Sequence, residues 1–378
     1  MPPQAPLPLS TKPHYPILDG LRGVAALSVV AMHIFEAHST SHQDMIVNHG
    51  YLAVDFFFLL SGYVIGYAYD DRWGKMTIGE FFKRRLIRLH PLVILGSVIG
   101  AICFYWGDST IWPTIHTVPV SRMLLIMVIG CTLIPIPLSM DIRGWQEMHP
   151  LDGPAWSLFF EYIANILYAL IVRRFSKLAL GILVALAGIA LVQYALTCPT
   201  GDLAGGWSLN EEQLRIGFTR LLFPFFGGLL LCRIGKLTRI NNAFTWCSLL
   251  LLVVFLMPRI GGLNHFWMNG LYESIVVVMI FPLIVWLGAG GAVIRPFAAR
   301  LCKFFGDISY PLYITHYPCI YIYTGWVSNN KGMSVGTALP YALLTYFGSL
   351  LVAYAALKFY DEPIRKWLTK ISSKAKPH

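Results

Sequence analysis

Eleven apolar stretches dominate this chain, at about 17–37, 51–69, 91–107, 119–139, 154–172, 178–197, 214–232, 243–257, 270–289, 305–327 and 336–357. A helix needs about 20 apolar residues to cross a bilayer, and in lipid every backbone polar group must be bonded internally. Only 13% of residues are charged, against about a quarter in soluble domains, and 56% are hydrophobic. The predicted fold is therefore all-α, a polytopic membrane bundle of about ten helices. The stretch 119–139 is the exception, since Pro135 and Pro137 fall where a regular helix needs donors. If it is re-entrant rather than crossing, 22 of the 29 Lys and Arg fall on one side. The positive-inside rule then puts both termini in the cytoplasm of a multi-pass protein of the plasma (inner) membrane. Residues 1–14 read as a disordered tail, 15–360 as one membrane domain and 361–378 as a second cytoplasmic tail. No signal peptide is expected, because charge interrupts the first apolar segment.

The net charge of +10 raises nucleic acid as a partner. The placement of the basic residues in short loops on one side excludes it in favour of lipid contact. The seven cysteines form no CxxC or Cys/His spacing, so neither a metal site nor a disulfide framework is expected.

Ionisable residues inside the apolar segments are the candidates for function, because each is costly there. The segment 15–36 carries Asp19, Arg22, His33 and Glu36. Eleven residues separate Arg22 from His33, about three helical turns, so both leave one helix face about 16 Å apart. From the topology, Arg22 lies near the inner face, while His33, Asp55, Glu161 and Arg220 lie in the outer half and His316 near the middle. A neutral imidazole beside a carboxylate can take a proton from an alcohol. Asp19, Asp55 and Glu36 are the possible partners of His33, and a purely structural set of buried pairs is the competing reading. Arg84, Arg85 and Arg88 lie at the inner surface, either as a lipid anchor or as a phosphate grip, with Arg85 and Arg88 one turn apart. Glu161 and Asn165 share a face of one span. Tyr310 and His316 share another span, which Pro311 is expected to kink.

Six stretches taken in order resemble the membrane acyltransferase-3 family. DGLRGVAALSVVAMH (19–33) is similar to its opening pattern of Arg, ten residues, His. YLAVDFFFLLSGYVI (51–65), FFKRRLIRLHPL (81–92), GPAWSLFFEYI (153–163), FGDISYPLYITHYP (305–318) and DEPIRKWL (361–368) follow as its later signatures. The resemblance implies an integral membrane O-acyltransferase that moves an acyl group, commonly acetyl, from acyl-CoA to a hydroxyl of an envelope or exported polysaccharide. No bound cofactor is implied; acyl-CoA is a co-substrate. His33 would activate the acceptor or carry the acyl group, with Arg22, Asp19 and Asp55 as its catalytic company. Arg84, Arg85 and Arg88 would hold the donor, and Glu161, Asn165, Tyr310 and His316 the carbohydrate acceptor. Many relatives carry an added esterase-like domain with no counterpart here, so acceptor recognition is expected from the membrane domain, its short outer loops or a partner. A secondary transporter or exporter of a polar solute is the alternative for such a bundle, though no internal repeat supports it.

Overall fold

The computed structural model describes residues 12, 14–41, 44–262, 264–293 and 295–374. Most of the expected N-terminal tail and the last four residues of the chain lie outside that set. Within it, Lys12 is anchored, its Nζ donating to the Tyr67 carbonyl and to Asp71, each at 2.7 Å. The described residues form fourteen α-helices: α1 (Pro16–Glu36), α2 (Ala53–Tyr69), α3 (Ile78–Cys103), α4 (Val120–Gly130), α5 (Ala155–Leu170), α6 (Lys177–Thr197), α7 (Glu211–Ile234), α8 (Ala243–Leu256), α9 (Trp267–Ile275), α10 (Phe281–Gly290), α11 (Pro296–Thr315), α12 (Tyr317–Asn329), α13 (Val335–Ala355) and α14 (Glu362–Lys374). A π-turn, Val276–Ile280, joins α9 to α10, and a second, Ala356–Asp361, joins α13 to α14.

Seven of these helical runs are long and apolar enough to cross a bilayer, and α4, α5 and α8 are shorter apolar helices. The protein is a polytopic helical membrane protein. With 11 residues, α4 reaches only about 16 Å, half the hydrocarbon thickness. Beyond it the chain runs non-helically through Pro135 and Pro137, and Leu133 takes a left-handed φ of 62°. The segment 361–374, expected as a tail, instead continues α13 through the π-turn and packs on α3.

Three local features set the site. Pro16 sits in the first turn of α1, where its missing N–H is no loss, and α1 then runs unbroken from Asp19 to Glu36. It crosses α11 at backbone contact: a Cβ on Gly23 would lie 2.5 Å from the Phe305 carbonyl oxygen, so only glycine fits. Thr77 and Glu80 form a reciprocal capping box, both bonds 3.1 Å, which fixes the start and hence the rotational phase of α3. Pro311 does not interrupt α11. The break falls five residues later at His316, before Pro318, whose missing N–H starts α12.

Candidate active site

Two cavities enter the bundle from opposite ends of α1. The larger, about 650 Å³, lies at the basic end and is lined by Asp19, Arg22, Arg85, Arg88, Glu161 and Tyr310, with α11, the second π-turn and α14 adding Lys303, Asp307, Asp361 and Arg365. The Arg22 Nε donates to Ser309 Oγ at 2.7 Å, and its Nη2 donates to the Gly306 carbonyl at 3.0 Å and pairs with Asp19 at 3.3 Å. Arg85 is buried and donates to Glu161 Oε1 at 2.6 Å; Ser61 Oγ donates to the same oxygen at 2.6 Å. Lys303 is paired with Asp307 at 2.7 Å and Arg365 with Asp361 at 2.8 Å. Arg88 has no hydrogen bond or ion pair among the described residues, although the positive charges of Arg22 and Arg85 bear on it. The Asp19 and Asp361 carboxylates act on it without bonding it, and a cation with no direct partner among the described residues, beside two others, is an anion-binding arrangement.

The smaller cavity, about 320 Å³, opens at the other end and is lined by His33, Glu36, Tyr51, Glu147, Arg220 and Tyr317, with Trp145, Trp156 and Trp207 as aromatic walls. His33 Nδ1 lies 2.6 Å from Glu36 Oε2. An ionised Glu36 only accepts, so Nδ1 carries a proton; in the neutral imidazole Nε2 then keeps its lone pair, the tautomer a general base needs. The ring is fixed by stacking on His316 at 5.7 Å and by the edge of Tyr317 at 4.9 Å. Glu147 Oε2 accepts from Tyr321 Oη at 2.6 Å. Burial pushes the Glu147 carboxyl up to about 7, with Arg143 pulling the other way. Val54 and Tyr313 line both cavities, and the Tyr313 hydroxyl bonds Ser157 Oγ at 2.8 Å.

The structure therefore brings some expected residues together and separates others. Asp19, Arg22, Arg85 and Arg88 share the basic cavity. Arg84, 100° round α3 from Arg85, is exposed and lines neither cavity. Asp55 is fully buried and held by Arg220, Nη2 to Oδ2 at 2.7 Å with Nε at 3.2 and 3.3 Å, so it does not reach His33. Glu161 lines the basic cavity, not the His33 end where its expected depth put it; Tyr310 lines the basic cavity too, its Oη donating to the Leu89 carbonyl at 2.6 Å. The physical cause is the loop before α5: Leu151 and Asp152 press against Gly100 and Gly96 of α3, so α5 starts well inside the bundle. Asn165 bonds back to the Glu161 carbonyl at 2.6 Å and faces neither cavity. His316 is buried behind His33, its Nδ1 donating to the Leu312 carbonyl at 2.9 Å and its Nε2 without a partner among the described residues.

Of the three carboxylates expected as partners of His33, Glu36 is the one that reaches it, and its spacing of three residues is the sequence signal for a contact in the last turn of α1. Glu147, Trp145 and Trp207 sit on loops and carry no periodic signal.

A family model described as an acyltransferase domain matches residues 15–358. Among curated proteins, the chain is 36% identical over 160 residues to "Protein 2 in picA locus" of Rhizobium radiobacter, 40% of this chain and 80% of that one. It is 24% identical over 370 residues to the O-acetyltransferase OatA of Staphylococcus aureus, 94% of this chain and 58% of that protein. With the acyltransferase MdmB of Streptomyces mycarofaciens it shares 29% over 216 residues, 52% of this chain and 51% of the other. The chain thus spans little more than half the length of the two relatives named for an activity. No solved structure matches.

Proposed function

We propose, for a chain that belongs to the membrane acyltransferase-3 family, that it transfers an acyl group, acetyl in the simplest case, from acyl-CoA to a hydroxyl of an envelope or exported carbohydrate. The protein is an acyltransferase of the membrane; donor, acceptor and sidedness are the proposal. The observation that carries it is the pair of cavities meeting at Val54 and Tyr313, with Arg22 on one side and His33 on the other. On this reading the basic end faces the cytoplasm, where Arg88 and Arg85 receive the CoA phosphates. Arg22 lies about 16 Å along α1 from His33. That distance favours a role for Arg22 in holding the donor rather than stabilising an oxyanion beside His33.

The thioester arm extends along the basic cavity and places its carbonyl at Tyr313. His33 Nε2 takes the acceptor O–H proton while that oxygen attacks the thioester carbon. The C–S bond then breaks, and the proton passes from His33 to the CoA thiolate. Glu36 steadies the imidazolium that forms between these steps, as a carboxylate does in a catalytic triad.

The test is reconstitution of the purified protein in vesicles with acetyl-CoA sealed inside and an oligosaccharide acceptor outside. O-acetylation of the external sugar with release of CoA inside is expected. Transfer that is indifferent to the side on which acetyl-CoA is placed overturns the assignment of the two cavities.

A further inference from the structure

Three carboxylic side chains near the His33 end of the bundle are buried to almost the same degree, and they are bonded very differently. Asp55 gives both oxygens to Arg220. Glu273 accepts from Tyr51 Oη and Asn269 Nδ2 on one oxygen and from the Leu203 amide at 2.6 Å on the other. These are saturated, as structural carboxylates are. Glu147 is 6% exposed and takes one bond, from Tyr321 Oη to Oε2. Its Oε1 has no partner among the described residues, yet it is not sealed off as an orphaned buried atom, and the residue lines the cavity that holds His33. The nearby cation does not reach it: the Arg143 guanidinium lies 3.5 Å from the centre of the Tyr321 ring, and its Nε donates to the Pro150 carbonyl at 3.0 Å.

The loop that carries Glu147 is pinned by hydrogen bonds at both ends. The Asp141 carboxylate accepts from the backbone amides of Arg143, Gly144 and Gln146 at 2.9, 2.9 and 2.8 Å. Met148 N donates to the Trp207 carbonyl at 2.8 Å, tying it to the loop before α7. A Cβ on Gly153 would stand 3.0 Å from Glu147 Oε1 and 2.6 Å from the Tyr317 ring, so glycine keeps this corner of the cavity open. Tyr317 meets His33 edge-on at 4.9 Å and Tyr321 at 4.6 Å, which leaves one ring's width between the imidazole and the Tyr321–Glu147 pair.

We propose that Glu147 is an acceptor-binding residue: its Oε1 bonds a second hydroxyl of the same acceptor unit whose first hydroxyl His33 activates. The site therefore selects neutral acceptors carrying two neighbouring hydroxyls. The inference rests on the acyl-transfer reading above. Glu147 takes no part in the bonds made and broken; it orients the acceptor. A buried group built to bond a hydroxyl discriminates strongly against an analogue lacking it, because the group is then left unsatisfied.

The experiment uses the purified full-length protein, acetyl-CoA, and a methyl hexopyranoside beside its monodeoxy analogues. The wild-type protein should favour the full diol at least tenfold in kcat/KM over the analogue lacking the neighbouring hydroxyl. Glu147→Ala, which removes the hydroxyl-bonding oxygen altogether, should cut that preference below threefold while the KM for acetyl-CoA stays unchanged. A variant that keeps the wild-type preference, or that loses activity equally on every acceptor, overturns the assignment. Quenching of tryptophan fluorescence by the glycoside reads the same site without turnover, since Trp145, Trp156 and Trp207 line it. Binding that is at least fivefold tighter for the diol in the wild type, and not in Glu147→Ala, supports the proposal even if acetyl transfer is absent; equal binding by the two proteins sinks it. Absence of transfer by the wild type instead counts against the reaction.

Discussion

At the basic end of the bundle, four of the five Arg and Lys side chains that line the cavity hold a carboxylate, and only Arg88 stands alone among the described residues. At the other end the charged groups are few, the walls are three indoles, and the hydrogen-bonding groups converge on His33 and Glu147. The first arrangement suits a polyanion, which can bond the unpaired cation and draw on the exposed pairs beside it. The second suits an uncharged ligand with apolar faces and directional hydroxyls. On the proposed reaction, the difference teaches that charge density marks the donor end and not the chemistry, since His33 lies in the less charged cavity.

That contrast can be broken in graded steps. His33→Ala should lower kcat about a thousandfold, the range for loss of a general base, with acetyl-CoA binding retained; activity that survives it removes the catalytic assignment. Arg88→Ala should raise the KM for acetyl-CoA tenfold to a hundredfold, as about 1.5–3 kcal/mol per charged hydrogen bond implies, and leave acceptor KM alone. An acceptor-side effect there would mean the cavities are assigned the wrong way round. Glu36→Gln keeps an acceptor for His33 Nδ1–H but removes the charge, and about a tenfold fall in kcat with little change in either KM is expected. Lys303→Ala should change acetyl-CoA KM by less than about threefold, because this exposed cation already sits on Asp307 and surface pairs are weak. A larger effect would recruit it to the donor site.

Much of this was legible in residue order. Charge scarcity and apolar length give a helical membrane bundle, and Pro135 with Pro137 marks the segment whose helix stops after 11 residues. The eleven-residue interval from Arg22 to His33 does put both on the walls of facing cavities. Depth counting failed at Glu161, because counting from the start of an apolar segment assumes that it starts at the membrane surface. Here the loop 141–154 packs down against Gly96 and Gly100 first. The partner of Asp55 was illegible for a different reason: a pairing 165 residues apart leaves no local trace. Glu147 lies on a loop held by Asp141, where no period of 3.6 operates, so pattern reading passes over it.

The two side chains shared by the cavities have an electrical consequence. An energised membrane drops its potential across whatever is dry, and recesses entering from both ends confine that drop to the thickness around Val54 and Tyr313. A proton slipping through would release about 2.3 kcal/mol per 100 mV, so a hole there would be a leak that drains the cell's ion gradient. A valine offers a proton nothing to ride on, and the tyrosine hydroxyl is committed to Ser157 at 2.8 Å. On the proposed reaction one acyl group and the single proton handed over by His33 pass this septum per turnover, and between turnovers it works as an insulator.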